Sequence, residues 1–387
     1  ARWERRFGAA PETRLDKRYR LVPRGTAIVV TCATFPQWNG YPAIMASLAT
    51  GNPVIIKPHP KTTLPVALFV RTMREVLEAS GHDPNLVTMV ADTCEKPVTI
   101  ELLQHRETAI IDFTGGPVFG RWIEENCHNA LVYTETAGCN SVVIESTDDL
   151  VGMCAAIAHS LCQASAQMCT SVQNIFVPRD GIETNEGYAS FDQVCNRLVS
   201  AVDQLLESPK QAAYLCGTLV DRKIYKAIDE IAKANEDSVI RESGCYKHPE
   251  YRKARTATPL VLKVDAEERL LYGQEHFGPI SFVIAADHAD HALQRATQDV
   301  RAHGAITSHV YSTDNSFIER AENAYHAAGA SLAFNLVGMP INFAAAYSDF
   351  HVTGLNPAGN ACLADLAFVT SRFRIVQTKF PAGDQVV

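Results

Sequence analysis

Glu135 and Cys169 are the two side chains in this sequence whose types and setting offer chemistry together. Glu135 lies in Thr134-Glu135-Thr136-Ala137-Gly138, at the end of an apolar run. Cys169 follows thirty-four residues later in Gln167-Met168-Cys169-Thr170, between a helical stretch and the strand-like Asn174-Ile175-Phe176-Val177-Pro178. A thiolate that attacks a carbonyl carbon forms a covalent adduct, and a nearby carboxylate can take the proton of the water that later releases the product. A small thiol is more often packing than nucleophile, so the spacing alone means little and the context must carry the reading.

The elements around the two residues supply part of that context. Ala27–Cys32, Pro53–Ile56, Leu86–Val90 and Thr108–Asp112 are continuous apolar runs, the pattern of buried parallel strands. Helical periodicity fills 42–50, 63–80, 96–106 and 117–128 between them, with Gly51 and Gly81 placed as stops. A second series has strand candidates at Ser141–Glu145, Gln173–Val177, Leu260–Val264, Ser281–Ala285 and His309–Ser312. Its helices are expected at 147–166, 187–207, 219–235, 288–299 and 315–328, with the polar stretch 236–257 as loop. Alternation of this kind predicts doubly wound α/β structure. The last apolar–polar alternation, Phe368–Gln377, reads as an edge strand.

Composition excludes several classes of function. The chain has 387 residues, 47% hydrophobic and 20% charged, ordinary proportions for a globular protein with a sizeable core. A net charge of −8 argues against a nucleic-acid partner, because phosphate binding is driven by Lys and Arg. No apolar run approaches the roughly 18 residues of a membrane span, and no signal-peptide pattern opens the sequence, so no membrane partner is expected. Eleven scattered cysteines without a C-x-x-C pair suggest neither a disulfide framework nor a zinc site. His105, His128 and His159 lack ligand spacing, so no metal is expected, and a reducing cytoplasm fits best.

Five motifs in register give the pair its meaning. Phe35-Pro36 with Lys57-Pro58, Phe113-Thr114-Gly115-Gly116, the Glu135 segment, the Cys169 segment and Glu275-His276-Phe277-Gly278-Pro279 resemble the aldehyde dehydrogenase superfamily, from about residue 21 to the C-terminus. Within it, Thr31–Asn39 and Lys57-Pro58-His59-Pro60 are most similar to phenylacetate-degradation dehydrogenases of the PaaN type. The resemblance implies two doubly wound α/β domains with a cleft between them and a small oligomerisation element. The expected division is an arm at 1–22, a nucleotide-binding domain at 23–133, a catalytic domain at 134–345 and a C-terminal return at 346–387. Family members carry a longer stretch before Leu21–Gly25, which implies that the first part of the nucleotide-binding domain is missing here. A homodimer or homotetramer is expected.

The resemblance also assigns roles. Cys169 is the expected nucleophile and Glu135 the general base for hydrolysis of the thioester; Cys154 and Cys162 are expected in the core. Members that pass the acyl group to coenzyme A usually lack this Glu. Most members place an Asn immediately before Phe-Pro as oxyanion donor, and here Thr34 holds that position. Asn39 would take the role only with a gap in the following helix. Lys57, His59, Gly115, Gly116, Glu275 and Phe277 are expected at the cofactor, with Gln167 shaping the nucleophile turn. Pro60 stands where a carboxylate often repels a 2′-phosphate, flanked by His59 and Lys61, so NADP is favoured over NAD. Trp38, Tyr133 and Phe343 are candidates for the wall of the aldehyde tunnel. The implied activity is oxidation of an aldehyde, including a coenzyme A-linked semialdehyde, to a carboxylic acid. A coenzyme A-acylating enzyme and a non-catalytic nucleotide-binding scaffold of the same fold are the alternatives.

Overall fold

The continuous apolar runs form the inner strands of two largely parallel sheets in the computed structural model, which describes residues 2–5, 13–136, 138–346 and 366–381. The first sheet has the order Val87–Met89, Val54–Lys57, Thr26–Val30, Thr108–Gly115, Leu131–Thr136, all parallel. Its strands are apolar on both faces because both are covered. Ala27, Val29 and Ile56 pack under the helices Pro36–Ala49 and Thr63–Ala79, while Ile28, Val30 and Ile111 pack under Pro117–Asn126. The order reverses between Thr26–Val30 and Thr108–Gly115. Their connections leave toward opposite faces, and a crevice opens at the carboxyl ends of the two strands.

The second sheet runs Val239–Arg241, Leu260–Asp265, Ile280–Ala286, Asn174–Pro178, Ser141–Ile144, Ser308–Tyr311, Leu332–Phe334. Among these pairings only Val239–Arg241 is antiparallel. Leu150–Cys162 and Phe191–Leu205 cover one face, with Cys154 and Cys162 in that core; Arg222–Ala234, Ala289–His303 and Asn315–Ala328 cover the other. Two doubly wound α/β units are therefore present, as expected. A third, antiparallel sheet joins Arg2–Arg5, Thr13–Pro23 and Phe373–Pro381 from opposite ends of the chain.

Several boundaries differ from expectation. The stretch 236–257 contributes the half-buried edge strand Val239–Arg241, since an edge strand buries little and needs little apolar signal. Residues 187–189 pair with Ile182–Thr184 in a hairpin, and the helix starts only at Phe191, behind a capping box of Ser190 and Gln193. Residues 368–370 end the short helix Leu366–Thr370, so the last strand begins at Phe373. The expected domain boundary after residue 133 falls inside the strand Leu131–Thr136, whose register ties it to the first sheet. Much of the return expected at 346–387 lies outside the described residues.

A buried ion pair pins the C-terminal segment to the first unit. The Arg372 guanidinium meets both Asp112 carboxylate oxygens at 2.8 and 2.5 Å and donates to Ser47 Oγ at 2.8 Å, with Arg372 and Asp112 both 0% exposed. The Phe368 ring lies 4.2 Å from the guanidinium carbon. Truncating one partner leaves the other charge buried and uncompensated, so Arg372→Met should cost about 3–5 kcal/mol of unfolding free energy. Pairing it with Asp112→Asn should restore part of that. Urea titrations of the three proteins decide the matter, and a loss under about 1 kcal/mol in Arg372→Met would contradict the uncompensated-charge argument.

Candidate functional site

The cleft between the two units, about 560 Å³, is where the first sheet presents the carboxyl ends of its strands. Val30, Lys57, Gly115 and Glu135 sit at four of those ends, and Asp92 follows the fifth. The turn 31–35 contributes Thr34, and His59 and Gly116 extend the same wall. Across from them stand Cys169, Glu275 and Phe277. All nine residues anticipated at the catalytic and cofactor positions thus meet on one surface.

Cys169 is presented by a strained turn. The helix Leu150–Cys162 runs into Ala164, Ser165 and Ala166, all with left-handed φ of 48 to 53°. Such non-glycine conformations cost about 1–3 kcal/mol each and persist only where their surroundings hold them. Here Ser165 Oγ donates to Cys216 O at 3.0 Å, and the Gln167 amide donates to Ala164 O at 2.9 Å and Thr218 O at 3.0 Å. Gln167 Oε1 also accepts from the Val220 N–H at 2.9 Å, so this side chain shapes the turn. Asn140 fixes the other side. Its amide donates to Cys169 O at 2.7 Å and Ser171 O at 2.9 Å, while its oxygen accepts from the Ile306 and Thr307 N–H groups.

Glu135 is almost fully buried, and Asn39 Nδ2 donates to its Oε1 at 2.9 Å. The helix expected from residue 42 starts at Pro36, a favourable N1 residue, and this puts Asn39 on its first turn. Thr34 remains in the preceding turn, its hydroxyl 4.0 Å from Cys32 Sγ. Cys32 lies on the cleft wall as well; burial is the main cause pushing its thiol up, with the Cys169 sulfur adding to it.

Lys57 does not stand alone at its strand end. Its Nζ lies 2.7 Å from Asp92 Oδ1 and donates to Pro58 O at 2.9 Å. The sequence had no carboxylate beside Lys57; Asp92 supplies one from the next strand over. Lys61 bridges the cleft mouth, paired with Asp221 and donating to Val220 O at 2.9 Å. His59 Nδ1 accepts from the Lys61 N–H, and burial, followed by Lys61 and Lys57, holds its pKa below the ordinary value.

Glu275 is half-buried, and desolvation pushes its carboxyl up to about 7. An acid with a raised folded pKa binds its proton more tightly in the folded chain, so stability falls as pH rises from the unfolded value toward 7. Glu275→Gln should therefore match the wild type near pH 4 and become the more stable protein near pH 8, read as urea midpoints. A difference that does not change with pH would remove the basis for this shift.

The three tunnel candidates lie away from this cleft. Tyr133 packs edge-on to Phe368 at 5.0 Å and hydrogen-bonds Ser371; Trp38 packs on Tyr41 at 5.4 Å. Neither they nor Phe343 line the cleft among the described residues. Tyr133 and Glu135 are two residues apart and share one face of Leu131–Thr136, but Tyr133 lies earlier along the strand, within the core under Pro36–Ala49. No group of three His, Cys, Asp or Glu side chains among the described residues could hold a metal ion, and no helix among them is long and apolar enough to cross a membrane.

Two α/β units enclosing a cleft with a cysteine turn on one wall and a buried glutamate on the other define a known class, and residues 6–337 match the family model of the aldehyde dehydrogenase family. The chain belongs to that family. Among solved structures it is similar to the NAD-dependent aldehyde dehydrogenase from Burkholderia multivorans, at 46% identity and a TM-score of 0.92, covering 100% of this chain and 69% of that one. The glyceraldehyde-3-phosphate dehydrogenase from Methanocaldococcus jannaschii, complexed with NADP, shares the fold at 14% identity and a TM-score of 0.71, covering 95% of this chain and 75% of that one. Among curated relatives, 1-pyrroline-5-carboxylate dehydrogenase from Geobacillus kaustophilus is 26% identical over 329 residues, which is 82% of this chain and 59% of that protein. The chain thus spans under two thirds of the length of that relative.

Proposed function

We propose that this protein oxidises an aldehyde to a carboxylic acid with NAD or NADP as hydride acceptor. The observation that carries this reading is that Cys169 and Glu135, supplied by opposite units, line one cleft with Lys57 and Glu275. The Cys169 thiolate adds to the aldehyde carbon, forming a C–S bond as the carbonyl electrons move to oxygen. The Thr34 hydroxyl and the Cys169 backbone N–H would donate to that oxygen, while the Asn39 amide gives one N–H to Glu135. When bound, the dinucleotide supplies the two-electron acceptor that makes the adduct a thioester. Glu135 then takes a proton from water, the oxygen adds to the thioester carbon, and the C–S bond breaks to return the Cys169 thiolate and release the acid.

The residues present suit a dinucleotide. The crevice at the strand-order reversal is the usual nucleotide position in open α/β sheets. Gly116, with no atom within 4 Å of a Cβ built there, leaves the cleft open beside the first turn of Pro117–Asn126, whose helix dipole suits phosphate. Phe277, 41% exposed, offers an apolar face for a ring, and the desolvated Glu275 carboxyl suits a ribose hydroxyl. Lys57 would hold the other ribose.

The stretches Thr31–Asn39 and Lys57–Pro60 support an aldehyde of aromatic catabolism as substrate, in the phenylacetate-degradation manner. The sheet built from both chain ends supports a homodimer or homotetramer. The described cysteines are all free, which suits a reducing, cytoplasmic setting. The test is product analysis: purified protein with an aromatic aldehyde, NAD or NADP, with and without coenzyme A. Free acid independent of coenzyme A is the expected product. Acyl-coenzyme A would establish the acylating alternative, and no nucleotide reduction across an aldehyde panel would leave a scaffold.

A further inference from the structure

Two charged side chains at the nucleotide end of the cleft are buried against each other. Lys57 is 4% and Asp92 1% exposed, with Nζ and Oδ1 2.7 Å apart. Asp92 Oδ2 accepts from the Val98 N–H at 3.1 Å, so the carboxylate is held from both sides. Both residues line the cleft, at the ends of neighbouring strands. A carboxylate offers about four acceptor positions and these contacts use two; an ammonium offers three donors, of which Asp92 and Pro58 O take two. What remains is an acceptor beside a donor, the complement of a vicinal diol.

We propose that Asp92 is the specificity-determining residue of the cofactor site, accepting from the adenosine ribose 2′-hydroxyl and thereby selecting NAD over NADP. This rests on the dehydrogenase reading above and reverses the preference expected from sequence. A 2′-phosphate would bring about two negative charges against a buried carboxylate, at a cost rising with the desolvation of both. The cations counted in its favour are committed elsewhere. Lys57 is paired with Asp92, Lys61 with Asp221, and burial, followed by Lys61 and Lys57, holds the His59 pKa below its ordinary value and so disfavours its cationic form.

Calorimetric titration of the whole chain, without aldehyde, tests this with three probes: NAD, NADP and 2′-deoxy-NAD. The wild type should bind NAD about 10- to 100-fold more tightly than NADP, and 2′-deoxy-NAD about 10-fold more weakly than NAD, the range for a hydrogen bond to a charged acceptor. Asp92→Asn should weaken NAD and tighten NADP until the two agree within about threefold. Should that variant misfold, the three wild-type titrations decide alone. Equal NAD and NADP affinity, or indifference to the 2′-hydroxyl, overturns the role of Asp92 while leaving a nucleotide-binding enzyme. No binding by any probe overturns the dehydrogenase reading, and this proposal with it.

Discussion

Cys169→Ala is expected to reduce aldehyde-dependent NAD or NADP reduction on the order of 10⁴- to 10⁶-fold, because its sulfur is the one that forms the covalent adduct. Cys32 and Cys94 share the wall, but burial raises the Cys32 thiol pKa, which makes it a poorer nucleophile, and Cys94 follows the strand at the opposite edge of the sheet from Glu135. Nucleotide affinity and thermal stability should stay close to wild type, since the turn is held by Ser165, Gln167 and Asn140 and not by the sulfur. Residual turnover above about one hundredth of wild type would refute the nucleophile. Chemical labelling adds an independent check. Cys94 and Cys245 are more exposed than Cys169, so labelling by access alone would favour those two. An activated Cys169 should outpace both toward iodoacetamide, as peptide mapping can show; Cys94 and Cys245 leading would count against it.

Glu135→Gln should lower steady-state turnover by about 10²- to 10⁴-fold, the range for removing a general base. Gln keeps an oxygen for the Asn39 amide, so the local geometry survives and only the proton acceptor is lost. The rapid formation of one reduced nucleotide per site should persist, followed by a slow phase in which an acyl adduct on Cys169 accumulates. Stopped-flow absorbance and intact-protein mass spectrometry read the two parts. A variant that loses the fast phase along with the slow one would show that Glu135 acts before or during adduct formation, contrary to its placement as hydrolytic base.

The two variants separate the alternatives that the sequence left open. A scaffold would show neither burst nor selective labelling. A coenzyme A-acylating enzyme would recover turnover in Glu135→Gln when coenzyme A is added, because a thiol acceptor does not need that carboxylate to the same degree as water.

Local sequence determined much of this protein. Apolar runs such as Thr26–Val30 and Thr108–Gly115 are strands because only a doubly covered parallel sheet buries such segments on both faces. The same strands bring their carboxyl ends together, which is why Lys57, Gly115 and Glu135, read from separate motifs, share a cleft. What tertiary structure alone decided lies between residues far apart in the chain. Asp92 follows a strand whose neighbour ends in Lys57, and sheet order puts them side by side where linear spacing separates them. Asn39 meets Glu135 because the helix begins at Pro36, and Arg372 finds Asp112 only when the C-terminal segment returns to the first sheet. Motifs record backbone geometry that repeats with local spacing; the charge partner of a buried side chain is set by packing across the sheet, and no local pattern encodes it.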